Sequence, residues 1–402
     1  MDIGSNLKVD PIIELNQEAM KRQAQGEKVI NGTIGMMHLD DGSLPIPSSI
    51  RAAFQHHTED EDFAYSSVAG VPLFRLLLLR WFFQDSLDKA MSSHQIETVA
   101  TPGGTGALTL SFKDFSSYSK PIVLLPKLGW PNYPNEVNSF IPSIDFYNNY
   151  NEEGTLDIED IKEKIDVSLA KDFENVLLLL NDPCENPTGY SLSDKERESL
   201  LSLVNSYPSH NVHVLLDVAY IDYAEDETKE SLVNFLLQLK SLTYICMSFS
   251  KTFSFYGLRV GALSIYSPDA RECDLHFESS CHAARGIWST INHQAMNVIV
   301  ELLSEEDHLR DLHHEVDNNR SIIEKRADIF LKEAKECGLE VYPYKFGFYI
   351  SIPCPDALAT CNKLKEKGIF LSPVTSKVLR AAICCVPTQD IPGLAKAIKE
   401  AQ

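Results

Sequence analysis

A lysine that closes an apolar run and is followed eight residues later by an arginine is a pairing with a chemical use. In Ser248-Phe-Ser-Lys251, with Gly257, Arg259 and Gly261 downstream (SFSKTFSFYGLRVGA), the amine would sit at a strand end, partly enclosed. An amine so placed can form an imine with an aldehyde cofactor, and Ser248 and Arg259 would hold that cofactor's phosphate. Read alone, Lys251 is equally a surface lysine after a strand. Asp217 ends the run VHVLLD three residues before Tyr220. A carboxylate there is costly unless paired; a pyridinium N–H would pair with it, and the Tyr220 phenol would then bond the ring's oxygen. A helix N-cap is the plainer alternative for Asp217. Asn186-Pro187-Thr188-Gly189 reads by itself as a turn. Gly103-Gly104-Thr105-Gly106, before the helical pattern ALTLSFKDF, offers backbone N–H groups to an anion. Trp130, in a loop after IVLLP, is broad enough to stack on a flat ring.

All five signals follow apolar runs, and the elements that carry them set their geometry. Between Ile96 and Tyr266 the runs IETVA, IVLLP, NVLLLL, VHVLLD, YICMSF and RVGALSIY read as strands buried on both faces. Helical patterns such as SDKERESLLSLVNSY and SLVNFLLQLK lie between them, which predicts βα units, a mostly parallel sheet, and a ligand site at the strands' C-terminal ends. The C-terminal part changes to long charged helices over 305–337, then LEVYPY, FYISIP, IFLSPV and RAAICCV as strands with the helix PDALATCNKLKEKG among them. The expectation is an α/β chain: a large domain over 46–295, a smaller α+β domain over 296–402, and an N-terminal segment, 1–45, packing with the latter.

A net charge of −21 argues against a nucleic-acid partner, because polyanion binding draws on clustered Lys and Arg. The nine cysteines form no CxxC pair and read as reduced thiols. The start, MDIGSNLKVD, lacks an export signal, and no apolar run approaches membrane-spanning length, so a cytoplasmic location is expected. Cys273, His276, Cys281 and His282 fit no usual zinc spacing and read as one helix, so no metal is expected.

The segments SFSK…GLRVG, DVAY and NPTG, in this order, resemble those of the fold type I pyridoxal 5'-phosphate enzymes, and most closely the class I/II aminotransferases of the aspartate and aromatic branch. The resemblance implies that Lys251 binds the cofactor covalently and acts as the base, that Asp217 pairs with the pyridine nitrogen, and that Tyr220 and Asn186 bond the phenolic oxygen. It implies that Trp130 stacks on the ring, that Gly104, Thr105, Ser248 and Arg259 hold the phosphate, and that Tyr65, in AYSSVAGVPLF, reaches the phosphate of a neighbouring subunit in a homodimer. Arg380, in VLRAAICCV, matches the arginine that grips the substrate α-carboxylate. Gly35 falls where backbone lines the substrate pocket, and Arg285 where dicarboxylate-specific members keep a second arginine. The implied reaction moves an amino group from an aromatic amino acid or aspartate to a 2-oxo acid such as 2-oxoglutarate. A lyase of the same fold would carry the same cofactor residues, and so would a regulator that senses the cofactor, although no basic helix-turn-helix segment is present.

Overall fold

The computed structural model describes residues 11–402; the first ten, read above for an export signal, lie outside the described residues. The strands are β1 Ile30–Gly32, β2 Gln95–Thr101, β3 Pro121–Pro126, β4 Ile144–Tyr147, β5 Asn175–Asn181, β6 Val212–Asp217, β7 Thr243–Ser248, β8 Gly261–Ser267, β9 Tyr349–Pro353, β10 Ile369–Thr375 and β11 Val378–Ala382. The chain divides into two compact units, a larger one of Ile46–Glu185 and Ser191–Asp317 and a smaller one of Met1–Pro45, Asn186–Tyr190 and Asn318–Gln402.

In the larger unit, strands β2 to β8 form one sheet in the order β2-β8-β7-β6-β5-β3-β4, parallel except where β8 runs against both neighbours. The six apolar runs are strands of this sheet. Val176 to Leu180 are each 4% exposed or less, as expected of a central strand covered on both faces. The helix Gly103–Phe115 packs Ala107, Leu110 and Phe115 into the same core as Leu177, Leu215 and Tyr244. The helix Asp194–Ser206 starts at a capping box, in which the Ser193 and Glu196 side chains each satisfy the other's backbone N–H. Strand β4 was not anticipated: IDFY is four residues long, on the sheet's edge and only partly covered, so it lacks the continuous apolar signature.

The smaller unit has a sheet of order β1-β10-β11-β9, with β1 parallel to β10 and the remaining pairs antiparallel. LEVYPY, expected as a strand, is irregular. Pro343 has no N–H for a ladder, while the Tyr342 N–H donates across to the Ser351 carbonyl at 2.9 Å. The division between units falls inside the helix Glu306–Cys337 rather than at 295/296. The preceding helix His293–Ser304 belongs to the larger unit, where Asn297 donates to Asp62 at 2.8 Å and Gln294 to the carbonyl of His57 at 2.5 Å. Residues 186–190 go with the smaller unit because the Gly189 carbonyl accepts from the N–H groups of Lys345 and Phe346, and the Pro187 carbonyl from Ser351 Oγ. Among the described residues no helix is long and apolar enough to cross a membrane.

Candidate active site

The expected residues fall into two groups, one within each unit. In the larger unit the central strands β5, β6 and β7 run parallel with Asn181 opposite Asp217 and Asp217 opposite Cys246, so their C-terminal ends come level. Asp217 is 8% exposed. Its carboxylate accepts from the Tyr133 hydroxyl at 2.7 Å and from the Ala219 N–H at 3.1 Å. Burial pushes its carboxyl above the usual aspartate range, against the pull of those two bonds and of the Lys251 charge. A cation brought to this carboxylate would hold it ionised.

Lys251 sits in the helical turn Phe249–Thr252 immediately after β7, with Ser248 as N-cap. Its Nζ lies 5.7 Å from the centre of the Tyr220 ring and 4.9 Å from that of Tyr256, which gives the ammonium two aromatic faces. Arg259, at φ 57°, donates to Ser250 Oγ at 3.1 Å and to the Tyr256 carbonyl at 3.0 Å, and its guanidinium packs on the start of the helix Gly103–Phe115. A Cβ at Gly103 would lie 2.5 Å from Arg259 Nη2, and one at Gly104 would lie 2.9 Å from the Cβ of Ser248. Glycine is therefore what lets this N-terminus approach the strand end. Gly104 and Thr105 form the first helical turn, so N–H groups, a hydroxyl and a guanidinium converge as an anion cradle.

Trp130 is half-buried and meets the Tyr133 ring edge-on, with centroids 5.4 Å apart at 88°. Its loop is pinned by Asn149, whose side chain accepts from the Leu128 N–H at 2.8 Å and donates to the Leu128 carbonyl at 2.7 Å. Glu185 in turn accepts from Asn149 at 2.7 Å and from the Tyr150 hydroxyl at 2.7 Å. Tyr133, Asn149 and Glu185 were missed by sequence reasoning. Tyr133 carries one signal, its position three residues after Trp130; the other two carry none. Two expected residues stand apart from this group: Tyr65 is 88% exposed, and Arg285 lies exposed in the last turn of the helix Ala270–Ile287, bonded to Ser289 Oγ. Of the cysteine and histidine cluster on that helix, His276 uses both ring nitrogens, on Asp114 at 2.6 Å and on the Tyr118 hydroxyl at 2.9 Å.

In the smaller unit Arg380 lies on β11 and is 4% exposed. Its Nη1 donates to Asn186 Oδ1 at 3.0 Å and its Nη2 to the Thr33 carbonyl at 2.8 Å, while the guanidinium carbon stands 4.4 Å from the centre of the Tyr349 ring. Its Nε is buried without a hydrogen-bond partner, and among the described residues no carboxylate pairs with it. A Cβ at Gly35 would fall 1.6 Å from the Tyr349 hydroxyl, so glycine is required there. A buried cation held by neutral groups, with a donor unspent, is what a site for a carboxylate looks like before the carboxylate arrives. Tyr349 also escaped sequence reasoning, because its aromatic face matters only once β9 is paired with β11.

The profile of the family described as aminotransferase class I and II matches residues 27–398. The chain is 28% identical over 336 residues to an aspartate aminotransferase of Salmonella typhi, covering 82% of each chain. It is 26% identical to an aromatic-amino-acid aminotransferase of Pseudomonas aeruginosa, over 78% of this chain and 77% of that one. Its structure is similar to the crystal structure of an aminotransferase from Anaerococcus prevotii, with a TM-score of 0.90 and 26% identity over 98% and 97% of the two chains. An aromatic-amino-acid aminotransferase from Burkholderia pseudomallei, covalently bound to pyridoxal phosphate, shares the fold with a TM-score of 0.82 at 20% identity over the whole of both chains.

Proposed function

The chain belongs to the class I and II aminotransferases, enzymes that depend on pyridoxal phosphate, and we propose that Lys251, Asp217 and Arg380 are the residues through which it moves an amino group from aspartate or an aromatic amino acid to 2-oxoglutarate. The observation that carries this reading is the convergence at the ends of β6 and β7. A buried carboxylate ends β6, an amine near two aromatic rings follows β7, and Ser248 at the end of β7 meets Arg259 and the start of the helix after β2 as an anion cradle. In this reading Asp217 would pair with the cofactor's ring nitrogen, Tyr220 would bond its phenolic oxygen, and Gly104, Thr105, Ser248 and Arg259 would hold its phosphate; the family resemblance assigns Asn186 to the phenolic oxygen as well. Trp130 would stack on the ring.

Bound pyridoxal phosphate supplies an electron sink for the pair left when the substrate Cα loses its proton. Arg380 holds the substrate α-carboxylate in its planar fork and so fixes the direction of the Cα–H bond. Lys251 Nζ takes that proton, a role suited to an amine released beside it in a partly desolvated setting. Asp217 would hold the ring nitrogen in its protonated form when the cofactor is bound. Gly35 leaves room for the Tyr349 hydroxyl, and its backbone would line the substrate pocket.

The exposed Tyr65 and Arg285 support a homodimer in which each subunit lends a side chain to its neighbour's site, Tyr65 to the phosphate and Arg285 to a distal carboxylate. A cytoplasmic location accords with the reduced cysteines. The test is the absorbance of purified protein, wild type and Lys251→Ala, with aspartate, glutamate, phenylalanine and tyrosine added singly. The expected result is a yellow band that bleaches with a preferred donor and returns with 2-oxoglutarate, and is lost in the variant. Bleaching by none of the donors would overturn the substrate assignment, and a normal cycle in Lys251→Ala would overturn the role of Lys251.

A further inference from the structure

Lys251 lies in a helical turn of only four residues, Phe249–Thr252, too short to hold itself together, and Ser254 just beyond it is in the left-handed region at φ 55°. Its orientation has to come from outside the turn. The turn Ile221–Tyr223, which follows β6, supplies it at two points. The Tyr223 hydroxyl donates to the Lys251 carbonyl at 3.3 Å, and Asp222 Oδ2 accepts from Thr252 Oγ1 at 2.5 Å. The other oxygen of Asp222 accepts from the Trp81 indole N–H at 3.1 Å. Trp81 is itself clamped, edge-on to Phe253 at 5.8 Å and stacked on His313 at 4.7 Å and 14°.

Asp222 is 5% exposed, and among the described residues no basic side chain pairs with it. Neutral donors return less than the burial of a carboxylate costs, so its stabilising value is small. What the arrangement does secure is geometry: one short segment carries Tyr220, whose ring faces Lys251 Nζ, and grips the backbone and side chain on which that amine is mounted.

We propose that Asp222 is a positioning residue that, oriented by Trp81, holds Thr252 and through it fixes Lys251 Nζ relative to Tyr220 and Asp217. The proposal rests on the reading of Lys251 as the cofactor lysine. It is tested on the holoenzyme with Asp222→Ala, Thr252→Val, their double variant and Thr252→Ser. The readouts are the pH titration of the bound cofactor's absorbance, steady-state constants with the preferred donor, and the thermal midpoint. Asp222→Ala and Thr252→Val are each expected to move the titration midpoint by about half a pH unit or more. Each should also lower kcat about 10- to 100-fold while KM changes by less than about 2-fold. The double variant should be no slower than the slower single one, because both break the same bond, and Thr252→Ser, which keeps the hydroxyl, should return both readouts to wild type. Unmoved spectra with only a lower thermal midpoint, or additive losses in the double variant, would overturn the proposal while leaving the aminotransferase reading intact. A wild type that takes up no cofactor would overturn both. Should Asp222→Ala fail to fold, the Thr252→Val and Thr252→Ser pair, which differ by one hydroxyl, decides the matter alone.

Discussion

Two arginines are buried in the smaller unit, and they are held in opposite ways. Arg326 is fully buried and directs its guanidinium to the carbonyls of Cys384 at 2.6 Å and His38 at 2.9 Å and to the carboxylate of Asp40 at 2.8 Å. It ties the N-terminal segment to the loop after β11. Arg380, nearly as buried, has one amide oxygen, one carbonyl and an aromatic face, with Nε unsatisfied and, among the described residues, no carboxylate paired with it. Residue type and burial are the same; the partners differ. A buried charge with a counter-ion is part of the framework, whereas one without is an expense the fold carries for a ligand.

That contrast can be broken at either end. Replacing Arg380 with Leu should lower kcat/KM for every amino acid donor about 1000-fold, which is about 4 kcal/mol of transition-state binding. The apoprotein should melt no lower than wild type, because an uncompensated buried charge has been removed. A large fall in the melting temperature with retained activity would reverse the assignment. Arg326→Met should do the opposite, costing about 3 kcal/mol of stability in denaturant titrations by leaving the Cys384 and His38 carbonyls without their donor, with a much smaller change in KM for the donor.

A buried group that can discharge sharpens the same argument. Burial lowers the His213 imidazole, packed between Phe115 and Tyr118, from 6.5 to about 4. Between those values the unfolded chain binds the proton and the folded one does not, so stability is present above pH 6.5 and is lost as pH falls toward 4, by about 3 kcal/mol in all. Denaturant titrations of His213→Leu against wild type across this range should show a flatter acid limb; parallel curves would remove His213 as the cause. The smallest effect belongs to an arginine left in solvent. Arg285→Ala should lower the preference for aspartate over phenylalanine about 10-fold if the side chain serves a neighbouring subunit's site, and an unchanged ratio would return it to the surface.

Much of the candidate group in the larger unit was legible in the chain because its members lie near the ends of apolar runs. Asp217, Ser248 and Lys251 are placed by the mostly apolar strands VHVLLD and TYICMS, which are buried along almost their whole length as central strands covered on both sides are. The residues that orient them were not legible. Tyr133 reaches Asp217 across 84 positions and Asp222 reaches Thr252 across 30, and nothing local to either marks the contact. The misread LEVYPY segment shows the opposite failure: apolar alternation is present, but a proline removes the donor a ladder needs.

The sequence by itself determined the strand core, the order of the chemical residues along it and the kind of cofactor they suit, because burial and turn chemistry are local and leave a periodic trace. Tertiary structure alone decided which buried charges have counter-ions, which glycines stand against another side chain, and where one unit ends inside the helix Glu306–Cys337. Those properties belong to pairs of residues far apart in the chain, and a pair acquires them only when folding brings it together.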